Sequence, residues 1–277
     1  MILRRQGVRC SFLCEVIKLR IDADFLNMHC DGYFNIIVEQ EVTSTNDIVK
    51  SLANNGAAHG TVMIAQSQTA GRGRRTRSFF SPKDSGVYMS ILLRPDIPIK
   101  DSVRITTCAA VAVKRAIEKF IEEPVYIKWV NDLYMRDRKV CGILTEASVD
   151  ADADRLKYAV LGVGLNVDTP LDAFPDDIKG IAGSVFSINV SDEIMNRLVL
   201  EVLREIKTGV EDIYNKKIED EYKNSSWLDG KYVDVMIGND TYPAKVIGVA
   251  DDFQLEIETE SGEKQLLSFG EVSVKAK

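Results

Sequence analysis

Histidine is scarce in this 277-residue chain: only His29 and His59 occur, and neither lies near a pair of cysteines. That leaves little from which to build a structural zinc site, although Cys10 and Cys14 are close in sequence. The five cysteines are odd in number and scattered, so they read as reduced thiols and not as a disulfide framework. No apolar run approaches the 18 residues of a membrane-spanning helix. The N-terminal "MILRRQGVRCSFLCEVIKLR" is interrupted by Arg9, Glu15 and Lys18, which breaks the apolar core that an export signal needs. A cytoplasmic protein that engages no membrane is expected. Standard nucleotide motifs are missing as well. There is no GxxxxGK[ST], and "GVGLNV" has Asn166 and Val167 where a dinucleotide fingerprint needs its third glycine.

Hydrophobic residues make up 45% of the chain and charged residues 28%, ordinary values for a globular protein with a buried core. The charge is less ordinary in its placement. Acidic residues number 42 against 35 basic ones, a formal charge of −7, yet Gly71–Arg77 gathers four arginines and two glycines. An acidic background opposes a polyanionic partner such as nucleic acid, and the basic run is short with no interleaved aromatic residue before Phe79. A solvated surface loop is one reading. The other is a loop that closes over a small anion, because guanidinium groups fork onto phosphate or carboxylate and glycine lets backbone amides approach. Ordering those residues costs on the order of ten kcal/mol of backbone entropy, so such a loop needs several charge contacts to settle.

Periodicity divides the chain into an α+β body and a β-rich tail. Residues 1–33 have mixed charge and room for one helix. "YFNIIVEQEV" begins a strand, and "STNDIVKSLANNG" reads as a short helix capped by Ser44 or Thr45 and stopped at Gly56. "TVMIAQS" is a buried strand. "GVYMSILLRP" places Val87, Met89, Ile91 and Leu93 on one strand face. A helix over 101–121 with Ser102 as its cap, a strand at "VYIKW", a hairpin turning at Arg136–Arg138, a central strand at "LKYAVLGVGLNV" and a helix over about 191–215 complete the body. After Trp227, short strands split by Gly-Asn-Asp, Asp-Asp and Ser-Gly turns suggest a small β-barrel. The expected organisation is an extension at 1–33, a catalytic domain at 34–226 and a β domain at 227–277.

Four blocks in order, "STND", "QTAGRGRRTR", "KWVNDLYMRDRKVCGIL" and "GVGLNV", resemble the biotin–protein ligases from about Tyr33 to the C-terminus. The resemblance implies a mixed β-sheet with packed helices, like the catalytic domain shared with class II aminoacyl-tRNA synthetases, and an SH3-like C-terminal barrel. It implies an ATP-dependent, AMP-forming ligase with Mg²⁺ accompanying ATP. Biotin's carboxylate attacks the α-phosphate to give biotinyl-5′-adenylate, and a lysine of a biotin carboxyl carrier protein, in acetyl-CoA carboxylase or a related carboxylase, then accepts the biotin. On this resemblance Ser44, Thr45, Asn46 and Gln68 face the ureido head. Arg72, Gly73 and Arg74 cover the biotinyl adenylate, and Arg75 and Arg77 add charge toward the nucleotide. Lys139 touches biotin's carboxylate and the phosphate. Asn131 and Asp132 lie on the nucleotide side, with Asp132 either near Mg²⁺ or steadying Lys139, and Asn166 lies near the adenine. Arg74, Lys139 and Asp132 are the expected catalytic set.

Two positions depart from the family pattern: Val130 stands where proline is usual, and Thr76 where glycine is usual. The 43 residues ahead of Ser44 lack the three-helix pattern of a winged helix-turn-helix, so the chain resembles the monofunctional type and no nucleic-acid partner is expected. Pairing of two copies is left open. The alternatives are a ligase or transferase for lipoate or another acyl cofactor, and, in a different class, a transcriptional regulator that senses the biotin adenylate.

Overall fold

The computed structural model describes residues 19–75, 77–238 and 240–268, together with the backbone of 272–276. Cys10, Cys14 and Thr76 lie outside the described residues. The body is a seven-stranded sheet in the order β1-β2-β3-β7-β6-β5-β4. Its strands are β1 (Asn35–Val42), β2 (Thr61–Gln68), β3 (Gly86–Leu93), β4 (Tyr126–Lys128), β5 (Asp132–Met135), β6 (Arg138–Asp150) and β7 (Arg155–Asn166). Helix α1 (Ala23–His29) precedes them, and α2 (Thr45–Asn54) links β1 to β2. That crossover makes β1 and β2 parallel, while every other pair in the sheet is antiparallel. The sheet is therefore mixed, and β7 is its centre.

Both sheet faces are covered. Val49 and Ala53 of α2 pack with Met63, Leu92, Tyr158 and Val160 on one face. Helices α3 (Val103–Glu118), α4 (Asp176–Lys179), α5 (Asp192–Glu211) and α6 (Lys216–Asn224) follow, and α3 packs with α5 and α6 around the larger core. Two-sided cover is why β3 is buried at all eight positions, and not on the alternate positions its sequence emphasises. The Arg136–Asp137 turn has both residues at positive φ, the conformation of a two-residue hairpin loop.

Some boundaries differ from expectation. Ser102 makes no side-chain cap: it ends a 3₁₀ turn at Ile99–Ser102 that runs straight into α3. The first long helix ends at Glu118 and the second at Glu211. Helix α6 has no counterpart in the sequence reading, because its buried side is only Ile218, Glu219 and Tyr222. Among its described residues the N-terminal segment carries one helix, with Ile21 and Leu26 in the main core. Arg20 meets Asp168 through two hydrogen bonds of 3.1 and 2.8 Å.

The tail is a second, five-stranded antiparallel sheet, order β11-β10-β9-β8-β12, built from β8 (Tyr232–Ile237), β9 (Asp240–Val249), β10 (Leu255–Thr259), β11 (Lys264–Leu267) and β12 (Val272–Ala276). It touches the body at a defined place. Trp129 Nε1 donates to the Phe253 carbonyl at 2.8 Å, and the buried Tyr222 ring of α6 meets the Phe253 ring edge-on at 5.4 Å.

Candidate active site

A cleft of about 170 Å³ opens where β2, β3 and β7 meet the ends of β4–β6. Ser44, Thr45, Asn46, Gln68, Arg72, Gly73, Arg74, Arg75, Arg77, Asn131, Asp132 and Lys139 all line it, so the topology gathers residues up to 95 positions apart in sequence. Phe79 and Trp129 supply apolar wall. Asn166 is the exception. It sits at the buried end of β7, outside the lining, where its Nδ2 donates to the Gly183 carbonyl at 3.0 Å and its Oδ1 has no partner among the described residues.

One end of the cleft is neutral and tightly bonded. Ser44 caps α2, its Oγ accepting from Asp47 N. Thr45 donates to Gln68 Oε1 through its backbone N at 2.9 Å and its hydroxyl at 3.2 Å, while Gln68 Nε2 donates to Ser81 Oγ at 2.9 Å. Ser90, fully buried on β3, donates to Asn46 Oδ1 at 2.6 Å and lies 2.8 Å from Thr45 Oγ1. Asn46 Nδ2 donates to Glu146 Oε2 at 2.9 Å. Gly162 forms the floor beneath: a Cβ there would stand 2.2 Å from Asn46 Oδ1. This glycine serves close approach of a protein side chain, and so does Gly164, whose Cβ would meet the Phe79 ring at 2.5 Å.

The other end is cationic. Residues 71–75 fold back on 77–79 as the arms of a small hairpin, with Phe79 N donating to Gly71 O at 2.8 Å and Gly73 N to Arg77 O at 2.7 Å. Arg72 pairs with Asp47 and, at 3.2 Å, with Glu146. The Asp47 hydrogen bond holds its guanidinium above the ordinary value for arginine. Arg74 reaches inward and donates to Asn131 Oδ1 at 3.0 Å. Burial pushes its pKa down, only partly countered by Asp132. Lys139 Nζ lies 2.7 Å from Asp132 Oδ1 and 6.0 Å from the centre of the Phe79 ring. That Asp132 oxygen makes no aligned hydrogen bond among the described residues, so the pair is an ion contact with acceptor capacity to spare. Asn131 and Asp132 face the cleft although Val130 precedes them and the Trp129–Val130 peptide is cis.

Sequence reasoning missed Ser90, Glu146, Asp47 and Lys128. Ser90 did carry a signal, a lone polar residue in the apolar run "VYMSILL". Glu146 is likewise an acid on an apolar strand. The neighbours of Ser90 and Glu146 follow from the β3-β7-β6 strand order, which one-dimensional patterns do not carry.

Residues 38–166 match the Biotin/lipoate A/B protein ligase family. Over 242 residues the chain is 35% identical to the bifunctional ligase/repressor BirA of Bacillus spizizenii, covering 84% of this chain and 72% of that protein. The biotin–[acetyl-CoA-carboxylase] ligase of Mycobacterium tuberculosis is 29% identical over 230 residues, 80% of each chain. Among solved structures, the biotin protein ligase of Aquifex aeolicus in complex with biotin and ATP superposes with a TM-score of 0.70 at 26% identity, covering 88% of this chain and 99% of that one.

Proposed function

We propose, from the premise that this chain belongs to the biotin/lipoate A/B protein ligase family, that it is an ATP-dependent biotin–protein ligase. The observation that carries the proposal is the two-ended cleft. A carboxylate must be brought against a polyphosphate, so positive charge is needed where they meet, and we assign that charge to Arg74 and Lys139, which line the cleft. The ureido head is a small neutral urea that needs paired donors and acceptors, which Ser44, Thr45, Asn46 and Gln68 offer. An alkyl dithiolane such as lipoate has no use for that many polar groups, so the lipoate alternative is not favoured.

In the first step a biotin carboxylate oxygen attacks the α-phosphorus, the bond to the β-phosphate oxygen breaks, and pyrophosphate leaves. Arg74 and Lys139 offset the charge that builds between the two anions. The 71–79 hairpin, with Arg72, Gly73, Arg75 and Arg77, covers the mixed anhydride and keeps water from it. In the second step a carrier lysine amine attacks the acyl carbon, the C–O bond to AMP breaks, and the amine gives up its proton. Asp132 is the one carboxylate among the described lining residues, and no cluster of three metal-ligating side chains occurs among the described residues. A Mg²⁺ brought in with ATP would be held by the phosphates, water and the Asp132 carboxylate, and would screen phosphate charge there. Asn166, with its free Oδ1, is assigned to the adenine side.

The partner we assign is a biotin carboxyl carrier protein. The 34–226 body is taken as the catalytic domain and 227–277 as an SH3-like module. A cytoplasmic site of action fits the free thiols of Cys30, Cys108 and Cys141, all buried. The test is incubation with labelled biotin, Mg-ATP and a biotin-accepting domain. Covalent label on one acceptor lysine is expected, and absence of label with a competent acceptor rejects the assignment.

A further inference from the structure

Lys128 is the cation in the cleft whose position has no explanation so far. It ends β4, lines the cleft and is half-buried. Among the described residues it has no hydrogen-bond acceptor and no carboxylate within 4.0 Å. Its close partners among them are two rings: Nζ stands 5.4 Å from the centre of Tyr134 and 5.6 Å from that of Trp227, which are themselves stacked at 4.5 Å. Asp132 is its cross-strand neighbour in register, but the Asp132 carboxylate turns to Lys139. Burial lowers the Lys128 pKa, and Lys139, Arg77 and Lys231 add to that effect against the opposing pull of Asp132.

A half-buried ammonium group without a counter-ion gives up part of its hydration, and rings recover only part of that loss. Such a group is kept for an anion that is not part of the protein. The sheet tells which anion. Lys139 on β6, Asp132 on β5 and Lys128 on β4 lie on three successive strands. Lys128 thus lies two strand spacings from Lys139, roughly 10 Å across the sheet at the backbone, and offset from it along the strands, since Lys139 pairs with Tyr134 and Lys128 with Asp132. Both lysines line the one cleft, with Asp132 on the strand between them.

We infer that Lys128 is a substrate-binding residue whose ammonium holds the β- and γ-phosphates of ATP and then the departing pyrophosphate, with Trp227 and Tyr134 holding it in place between turnovers. The inference rests on the ligase reading above and deepens it. It also gives Trp227, at the junction with the C-terminal sheet, a part in nucleotide binding.

The test compares Lys128→Met with the wild-type chain. Inorganic pyrophosphate is titrated while the melting temperature is followed, and KM is measured for ATP and for biotin in adenylate formation. Loss of a charge-assisted contact is expected to weaken pyrophosphate binding and raise KM for ATP about tenfold or more, with KM for biotin within about twofold. The ligand-free variant is expected to melt no lower than wild type, since the charge removed had no counter-ion. Lys128→Arg is expected to recover part of the ATP affinity. Unchanged pyrophosphate affinity in Lys128→Met overturns the inference. So does a lowered melting temperature with both KM values rising together, which would make Lys128 a clip for the C-terminal sheet. A wild-type chain that binds pyrophosphate but never consumes ATP with biotin rejects the ligase reading and leaves the Lys128 comparison readable from melting alone.

Discussion

The two ends of the cleft are built on opposite principles. At the neutral end, Thr45, Asn46, Gln68 and Ser90 are bonded to one another before any ligand arrives. At the charged end, Arg74, Arg77, Lys128 and Lys139 face a single lining carboxylate, Asp132. A preformed polar network binds a neutral head group with little reorganisation, and its specificity comes from donors and acceptors that a wrong ligand would leave unpaired. An excess of positive charge does the reverse. It destabilises the empty site and is balanced only when a polyanion enters, so binding energy is held for the step in which charge develops. Between the two ends lies Glu146, which takes a bond from Asn46 of the neutral end and pairs with Arg72 of the hairpin.

The contrast is broken most forcefully at the charged end. Arg74→Ala or Lys139→Ala is expected to slow adenylate formation by a factor of about 100 or more, the usual scale for losing one positioned electrostatic group. Stopped-time assays of adenylate would show it, and near wild-type rates in both variants would remove these residues from the chemistry. At the neutral end, Ser90→Ala deletes the hydroxyl that bonds Asn46. It is expected to raise KM for biotin about tenfold and leave KM for ATP within about twofold, so steady-state kinetics with each substrate varied would separate the ends. Equal changes for both substrates would mean that the ends are not independent. Glu146→Gln sharpens the comparison from the middle. It keeps an acceptor for Asn46 and loses the charge opposite Arg72, so a smaller rise of about threefold is expected in KM for both substrates. A change confined to one substrate would place Glu146 in one end alone.

How much of this could be read from sequence depended on whether the signal was local. Strands β1, β2 and β7 and helix α2 followed from apolar spacing and from Ser44 as a cap, because the forces that fix them act within a few residues. The hairpin at Arg136–Asp137 was legible for the same reason. Ser102 misled, since a serine ahead of an apolar stripe also fits a 3₁₀ lead-in whose last residue is already helical. Helix α6 was invisible because "KKIEDEYKN" buries little apolar surface and is held instead by charge, with Lys114 and Arg115 of α3 gripping Glu221 at 3.2 and 2.7 Å. In the site, twelve named residues gather in the cleft because each sits in a motif whose type announces its chemistry. Asn166 does not line it, although its motif is intact, because the side chain turns to the Gly183 carbonyl. Ser90, Glu146 and Lys128 needed the strand order before their neighbours could be known.

The central claim, that the charged end joins biotin's carboxylate to ATP, is tested most directly by exchange of labelled pyrophosphate into ATP without any acceptor protein. Exchange that starts on adding biotin, stays silent with lipoate and falls away in Lys139→Ala is the expected result. Exchange that proceeds equally without biotin, or only with lipoate, would contradict it.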